Sequence, residues 1–196
     1  MVNVNDIQKL REHTGAGMMD AKMALQDAGG DLDKAVVFLR QRGTKVAAAK
    51  GERATGEGLV EAYVHLGGKL GVLVEVACET DFVARTDKFK ELAHDLAMQV
   101  AAANPLYLTP ADVPAEVIER EKGVYREQLK SEHKEGSMVE KILEGKLAKF
   151  FAETCLMQQQ FFKNDKQTVT EVVTAAVAAL GENIKVKRFV RFALGN

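Results

Sequence analysis

Two stretches of alternating apolar residues meet at a pair of glycines, and this arrangement limits the fold more than any other feature of the chain. In Leu59–Leu66 the even positions Val60, Ala62, Val64 and Leu66 are apolar; in Leu70–Cys78 so are Leu70, Val72, Val74, Val76 and Cys78. A period of two marks a strand with one buried face, and Gly67-Gly68 supplies the reversal between them. The reading is a β-hairpin over 59–78. Slipping the pairing by one residue turns every side chain to the other face, so the loop is chosen to bring both apolar sets together. A two-residue Gly67-Gly68 turn pairs Val60 with Glu75 and fails. A three-residue loop, Gly67-Gly68-Lys69, pairs Val60 with Val76, Ala62 with Val74, Val64 with Val72 and Leu66 with Leu70. That register, with a glycine bulge, is the expectation.

The residues before the hairpin read as three short helices. Asn3 or Asn5 caps the first, whose Val4, Ile7 and Leu10 recur at helical spacing, and Thr14-Gly15-Ala16-Gly17 ends it. The second runs from about Met18 to Ala28 and stops at Gly29-Gly30. Asp31 caps the third, with Leu32, Ala35, Val36 and Leu39 as its stripe. Residues 1–44 thus form a miniature bundle, and 45–57, rich in Ala, Lys, Arg and Gly, is the linker. Beyond the hairpin, Thr80 caps a helix that carries Phe82, Phe89, Leu92, Leu96 and Val100 on one side and ends before Asn104-Pro105. Further helices are expected over Val117–Leu129, Met138–Thr154 and Val169–Leu180, with the polar Ser131–Ser137 between the first two. Residues 184–194 alternate again and return to the hairpin as a third strand. Ile184, Val186, Val190, Phe192 and Leu194 are placed on one face, and Lys185, Lys187, Phe189 and Arg191 on the other. The class is α+β: a three-helix mini-domain, then a core over 58–196 of hairpin, helices at about 80–180 and return strand.

Composition excludes several function classes. The net charge is −1, so no overall field points to nucleic acid or to a membrane surface. The polar start lacks a signal-peptide profile, and no apolar run reaches the ~20 residues of a membrane span. The two cysteines, Cys78 and Cys155, lie among apolar neighbours and read as buried thiols of a reducing compartment. A cytoplasmic protein is expected. There is no phosphate-binding glycine loop, no Cys/His set with zinc spacing among the four scattered histidines, and no nucleophile elbow. No cofactor, metal or catalytic group is expected. A Cys–His nucleophilic pair stays open, although Cys78 on the apolar face of a strand should be inert.

One segment resists a purely structural account: Glu79-Thr80-Asp81-Phe82-Val83, where a strand hands over to a helix. Periodicity alone makes Thr80 a cap, Asp81 a partner of the helix dipole and Phe82 a core residue seven positions before Phe89. Pattern takes the argument no further.

The chain resembles the elongation factor Ts family in two runs. These are Leu10-Arg11-Glu12-His13-Thr14-Gly15-Ala16-Gly17-Met18-Met19-Asp20-Ala21-Lys22 and Gly71-Val72-Leu73-Val74-Glu75-Val76-Ala77-Cys78-Glu79-Thr80-Asp81-Phe82-Val83-Ala84-Arg85. Weaker likenesses follow at Glu140-Lys141-Ile142, Glu144-Gly145-Lys146, Lys149-Phe150 and Gly181-Glu182-Asn183-Ile184. Departures fall at Met23, Ala77, Gln160 and His133-Lys134-Glu135, of which Ala77 adjoins the second motif. The resemblance implies a guanine nucleotide exchange factor for elongation factor Tu. It implies a ubiquitin-associated-like fold for the mini-domain, with Leu10, Arg11, Met18 and Met19 in contact with the GTPase. It implies that Thr80, Asp81, Phe82 and Val83 form a projecting wedge that dislodges the partner's Mg²⁺. Longer members of the family carry two copies of the sheet-and-helix core and this chain has room for one, so a homodimer is expected, with Phe189 as the exposed interface candidate. A mini-domain that binds ubiquitin-like or ribosomal partners, and a small hydrolase using Cys78 or Cys155, are the rival readings.

Overall fold

The computed structural model describes residues 2–132 and 138–195. The helices are α1 (Val4–Thr14), α2 (Met18–Asp27), α3 (Leu32–Lys50), α4 (Asp81–Ala84), α5 (Asp87–Ala103), α6 (Ala115–Ser131), α7 (Met138–Thr154) and α8 (Val169–Leu180). The strands are β1 (Glu57–Val64), β2 (Leu70–Cys78), β3 (Gln160–Phe161), β4 (Asn164–Thr168) and β5 (Lys185–Ala193). The fold is α+β, as the patterning requires. The chain divides into two compact units, one running to Met98 and resuming at Thr170, the other made of Gln99–Val169.

Local signals set the ends of the first three helices. The Asn3 side chain accepts from the Asn5 N–H at 3.1 Å, and Gly15 closes α1 at φ 69°, a conformation glycine adopts without steric cost. Asp31 caps α3 by accepting from the Lys34 N–H at 3.1 Å. Leu10, Ala21, Ala24, Leu25 and Ala35 make the buried centre of the bundle, with Ile7, Leu32, Val36 and Leu39 packed around it. The alanines bring the three helices close, so two leucines suffice to fill so small a core.

α3 does not stop where a linker was expected. It runs on to Lys50, because Ala47, Ala48 and Ala49 are the strongest helix formers and nothing before Gly51 breaks the turn. Gly43, within this helix, is buried against Ala178 and Thr174 of α8, and Arg40 lies 4.0 Å from Glu171 of α8. Of the segment 45–57, only the part after Lys50 lies outside a helix or strand before β1 begins at Glu57.

The main sheet has the order β1-β2-β5, antiparallel throughout. Its register corrects the sequence reading. Val60 stands opposite Glu75 and Val64 opposite Gly71, the pairing of the tighter turn that had been rejected. Gly67 and Gly68 both take positive φ, 88° and 68°, as a twisted hairpin reversal needs. The premise of a single apolar face fails because both faces of this sheet are apolar. Val72, Val74 and Val76 are buried on the inner face beside Tyr63, Glu61 and Leu59. The inward Glu61 is satisfied by His94 of α5 at 2.8 Å, and the Tyr63 ring meets the same histidine edge-on at 5.8 Å. The even set Val60, Ala62 and Val64 therefore faces outward and is exposed.

A bulge corrects the third strand as well. Val186 pairs with Val76 but Arg188 pairs with Glu75, leaving Lys187 as the extra residue. One inserted residue reverses the facing of everything after it. Phe189 and Arg191 therefore join the inner face opposite Val74 and Val72, and Val190 and Phe192 join the outer face opposite Leu73 and Gly71. Phe189, expected to be exposed, is partly buried, whereas Phe192 is 70% exposed.

The helix expected from Thr80 to Ala103 is two helices. Thr86 breaks it: its hydroxyl donates to the Val83 carbonyl at 2.8 Å and accepts from the Phe89 N–H at 3.3 Å, capping α5 anew. Phe89, Ala93, Leu96 and Ala97 of α5 are fully buried.

In the second unit α6 and α7 pair, with Leu129 and Leu143 buried. The interruption at 133–137, which contains His133, Lys134 and Glu135, lies outside the described residues. Gln99 is buried with its amide fully used: Nε2 donates to Gln159 Oε1 and to the Gln160 carbonyl, each at 3.1 Å, and Oε1 accepts from the Phe162 N–H at 2.9 Å. The sequence does not announce the β3–β4 pair, since strands of two and five residues carry no periodicity to read.

Candidate functional site

The handover from β2 to α4 is a short turn with long-range support. Cys78 ends β2 on the inner face and donates its thiol to the Thr80 carbonyl at 3.1 Å. Thr80 caps α4, its hydroxyl accepting from the Val83 N–H at 3.5 Å. Helix α4 is a single turn, far below the length at which a helix sustains itself. What holds it is the segment after α8. Glu182 Oε2 accepts from the N–H groups of Glu79 and Thr80 at 3.1 and 3.0 Å, and Oε1 accepts from the Thr80 hydroxyl at 2.6 Å. In return Glu79 Oε1 accepts from the Asn183 N–H at 2.7 Å, and Arg53 lies 3.5 Å from its second oxygen. Asn183 donates its amide to the carbonyls of Gly51 and Arg53 at 3.3 and 2.8 Å, and Lys50 donates to the Gly181 carbonyl at 2.6 Å. The Asn183 N–H, and then the positive charge of Arg53, hold the Glu79 carboxyl below its ordinary range.

Phe82 is carried out into solvent by this braced turn. It is 79% exposed, the largest apolar side chain on α4. The break at Thr86 is the reason: with two helices in place of one, a seven-residue separation no longer puts Phe82 on the face of Phe89. Asp81 is partly exposed and pairs with Arg85 at 2.8 Å, and Val83 is partly buried. Ala77 is buried on β2 between Gly58 and Lys185, so this departure leaves the hydrogen bonds of the turn in place.

The second set of expected site residues divides. Arg11, Met18 and Met19 are exposed around the Gly15–Gly17 turn, and Arg11 Nε donates to the Ala16 carbonyl at 3.3 Å. Leu10 is 1% exposed and belongs to the bundle core. It supports the turn from beneath and has no surface to offer. Leu10→Ala is therefore expected to cost ~2–5 kcal/mol, measured by denaturant titration of the intact chain. A variant that unfolds at the parent's midpoint would return Leu10 to the list of contact residues.

What links the two sets is α8. Its middle packs against Gly43 of α3, and the segment that follows it, Gly181–Asn183, braces the turn at Glu79 and Thr80. Sequence reasoning missed Glu182 and Asn183, and placed Lys50 and Arg53 in a solvated linker. In the sequence Gly181-Glu182-Asn183 carries only a weak likeness to the family; the local signal is a polar pair, Glu182-Asn183, between an apolar helix and a strand. Both cysteines are buried, and burial raises each thiol above its ordinary range, for Cys78 with the added effect of the Glu182 charge. That is the environment of an inert thiol and weighs against the hydrolase reading. Among the described residues no group of three or more His, Cys, Asp or Glu is arranged to hold a metal ion, and no helix is long and apolar enough to cross a membrane.

Comparison with known proteins gives this geometry its context. The family model described as "Elongation factor TS" matches residues 8–196. Elongation factor Ts of Carboxydothermus hydrogenoformans is 54% identical over 195 residues, covering 100% of this chain and 90% of that protein. The factor of Thermosipho melanesiensis is 52% identical and covered completely, as is this chain. That of Desulfosudis oleivorans is 53% identical over 194 residues, 99% of this chain and 98% of the relative. The three-helix N-terminal bundle is compatible with the ubiquitin-associated-like form that the resemblance implies. A match that takes in both motif regions and nearly every residue leaves one assignment: the chain belongs to the elongation factor Ts family, whose work is in the elongation stage of protein biosynthesis.

Proposed function

We propose that the chain is a guanine nucleotide exchange factor that binds the GDP form of elongation factor Tu, dislodges its Mg²⁺ and releases GDP. The observation that carries this is Phe82, an aromatic side chain held in water by a turn with long-range bracing. A residue exposed in this way contributes little to the fold and is free to enter a partner. GDP is held by backbone donors and by Mg²⁺ bridging its phosphate oxygens. Mg²⁺ demands near-ideal octahedral ligation, so a small intrusion beside it suffices to loosen it. Phe82 is the apolar anchor of that intrusion, and Thr80 and Val83 set its direction. Asp81 disturbs the donors and waters around the ion. The mini-domain, residues 1–44, grips the GTPase through Arg11, Met18 and Met19; methionine suits such a surface because its unbranched chain adapts to the partner. The chain performs no catalysis of its own and requires no cofactor, nucleic acid or membrane. It acts in the cytoplasm, where elongation takes place.

Thermodynamic coupling supplies the test. A factor that weakens GDP binding must itself be bound less tightly by the GDP-loaded partner, by the same ratio. Titration calorimetry is expected to give tight binding to nucleotide-free elongation factor Tu and weak binding once GDP and Mg²⁺ are added. Equal affinities in the two states rule out exchange activity and leave a plain binding protein.

A homodimer is part of the same proposal, with its interface moved from Phe189 to the outer sheet face. Val60, Ala62, Val64, Leu73, Val190 and Phe192 project from that face in adjoining rows of the ladder. Glu75 and Arg188, paired at 2.7 Å, share the row of Val60 at one end of the patch. Monomeric proteins seldom leave so continuous an apolar surface in water. The same face of a second copy is self-complementary under a two-fold axis and forms with it a sheet-on-sheet sandwich.

A further inference from the structure

The geometry points to Glu182 as the positioning residue of the exchange turn: its carboxylate, supplied from the segment that follows α8, sets the direction in which Phe82 and Asp81 project. This rests on the exchange reading above for its consequence, but not for its structural content.

Helix α4 cannot define its own orientation. It has four residues, and its cap bond from the Val83 N–H to Thr80 Oγ1 is 3.5 Å, at the limit of hydrogen bonding. The three bonds to Glu182 are shorter, at 2.6 to 3.1 Å, and each is assisted by the carboxylate charge. Three donors of the turn converge on the two carboxylate oxygens. One oxygen takes two successive backbone N–H groups, which ties down the peptide planes entering α4. The other takes the Thr80 hydroxyl proton, which leaves that oxygen's lone pairs facing Val83. Thr80 can therefore cap α4 only in the orientation that Glu182 dictates.

The anchor beneath Glu182 is equally specific. The neighbouring Asn183 is tied by its side chain to the Gly51 and Arg53 carbonyls and by its N–H to Glu79. Gly181 is tied to Lys50 at the end of α3. Glu182 thus accepts from the Glu79 N–H, and the Glu79 carboxylate in turn accepts from the Asn183 N–H, across 103 and 104 residues of sequence. An arrangement serving stability alone would do as well with an apolar contact. A pair of directed acceptors fixes orientation.

The consequence is tested with the full chain, using Glu182→Ala and the isosteric Glu182→Gln, which keeps one acceptor and loses the charge. Amide hydrogen exchange on the free protein comes first. The Glu79 and Thr80 amides and α4 are expected to exchange about tenfold or more faster in Glu182→Ala while α5 keeps its protection, and Glu182→Gln is expected to fall between this variant and the parent. Unchanged protection at Glu79 and Thr80, or an equal rise throughout α5, overturns the positioning role whatever the exchange activity proves to be. The second readout is GDP release at saturating factor, well below the melting temperature. Glu182→Ala is expected to lower the maximal rate about tenfold, with partial recovery in Glu182→Gln, and to add nothing further in a Phe82→Ala background, because both act through one side chain. An additive loss in the double variant overturns the inference. If Phe82→Ala itself leaves release untouched, the exchange reading fails, and the hydrogen-exchange result still decides the clamp. Should Glu182→Ala not fold, Glu182→Gln carries both measurements.

Discussion

Phe82→Ala is expected to melt within a degree or two of the parent chain while GDP release from elongation factor Tu falls roughly thirtyfold or more. The first half follows from exposure: a side chain 79% in solvent has little apolar area to lose, and surface substitutions usually stay within about 0.5 kcal/mol. The second half follows from the proposed role, since buried aromatic anchors of an interface carry about 2 kcal/mol or more, which is about thirtyfold. Had Phe82 lain beside Phe89 in the core, as its spacing suggested, the same truncation would cost ~3–5 kcal/mol of stability. Asp81→Ala is expected to show the same separation, because the Asp81–Arg85 pair is an i,i+4 surface contact of at most about 0.5 kcal/mol. Thermal melts and stopped-flow release are measured on the same preparations. A Phe82→Ala chain that folds, melts as the parent does and still releases GDP at the parental rate removes the wedge mechanism.

Phe192→Asp is expected to halve the mass in solution, from twice 21.4 kDa to 21.4 kDa by light scattering, and to leave the monomer folded. Phe192 is 70% exposed in the single chain and pairs across the ladder with Gly71, which offers no side chain to cover it. A carboxylate placed there is solvated in the monomer but meets an apolar surface in a sandwich, where an unpaired charge costs several kcal/mol. Phe189→Ala serves as the contrast. Phe189 now lies on the inner face opposite Val74, so its loss is expected to lower the melting temperature without changing the mass. A parent chain that scatters as a 21.4 kDa monomer at working concentration ends the dimer proposal.

Much of this architecture is written in short stretches of the chain. Asn3, Gly15, Asp31 and Gly181 mark helix ends by their own backbone and side-chain chemistry, and the structure places them there. The Met138–Thr154 and Val169–Leu180 helices follow from apolar spacing alone. The two family motifs could be quoted from the sequence residue by residue, so membership of the family needed no coordinates. These are local properties, set by residues within a turn or two of one another.

What tertiary structure decided is facing and support. The hairpin register could not be chosen by asking for one apolar face, because Val60, Ala62 and Val64 line the opposite face to Val72, Val74 and Val76. The side of Phe189 turned on one bulged residue, Lys187, which no periodicity announces. Phe82 left the core because Thr86 recapped the helix, and only its exposure in three dimensions set aside the core reading that its spacing suggested. Glu182 lies 102 residues from Thr80, and Asn183 lies 104 from Glu79. A carboxylate that far along the chain has no sequence signature of its target, because the hydrogen bond is created by chain crossing and not by local propensity. The sequence alone therefore determined most of the helices, the main strands, the caps at Asn3, Asp31 and Thr80, and the family. Which side chains face water, and what holds the exposed turn in place, came only from the packing of distant segments, since burial and hydrogen-bond partnership are properties of neighbours in space.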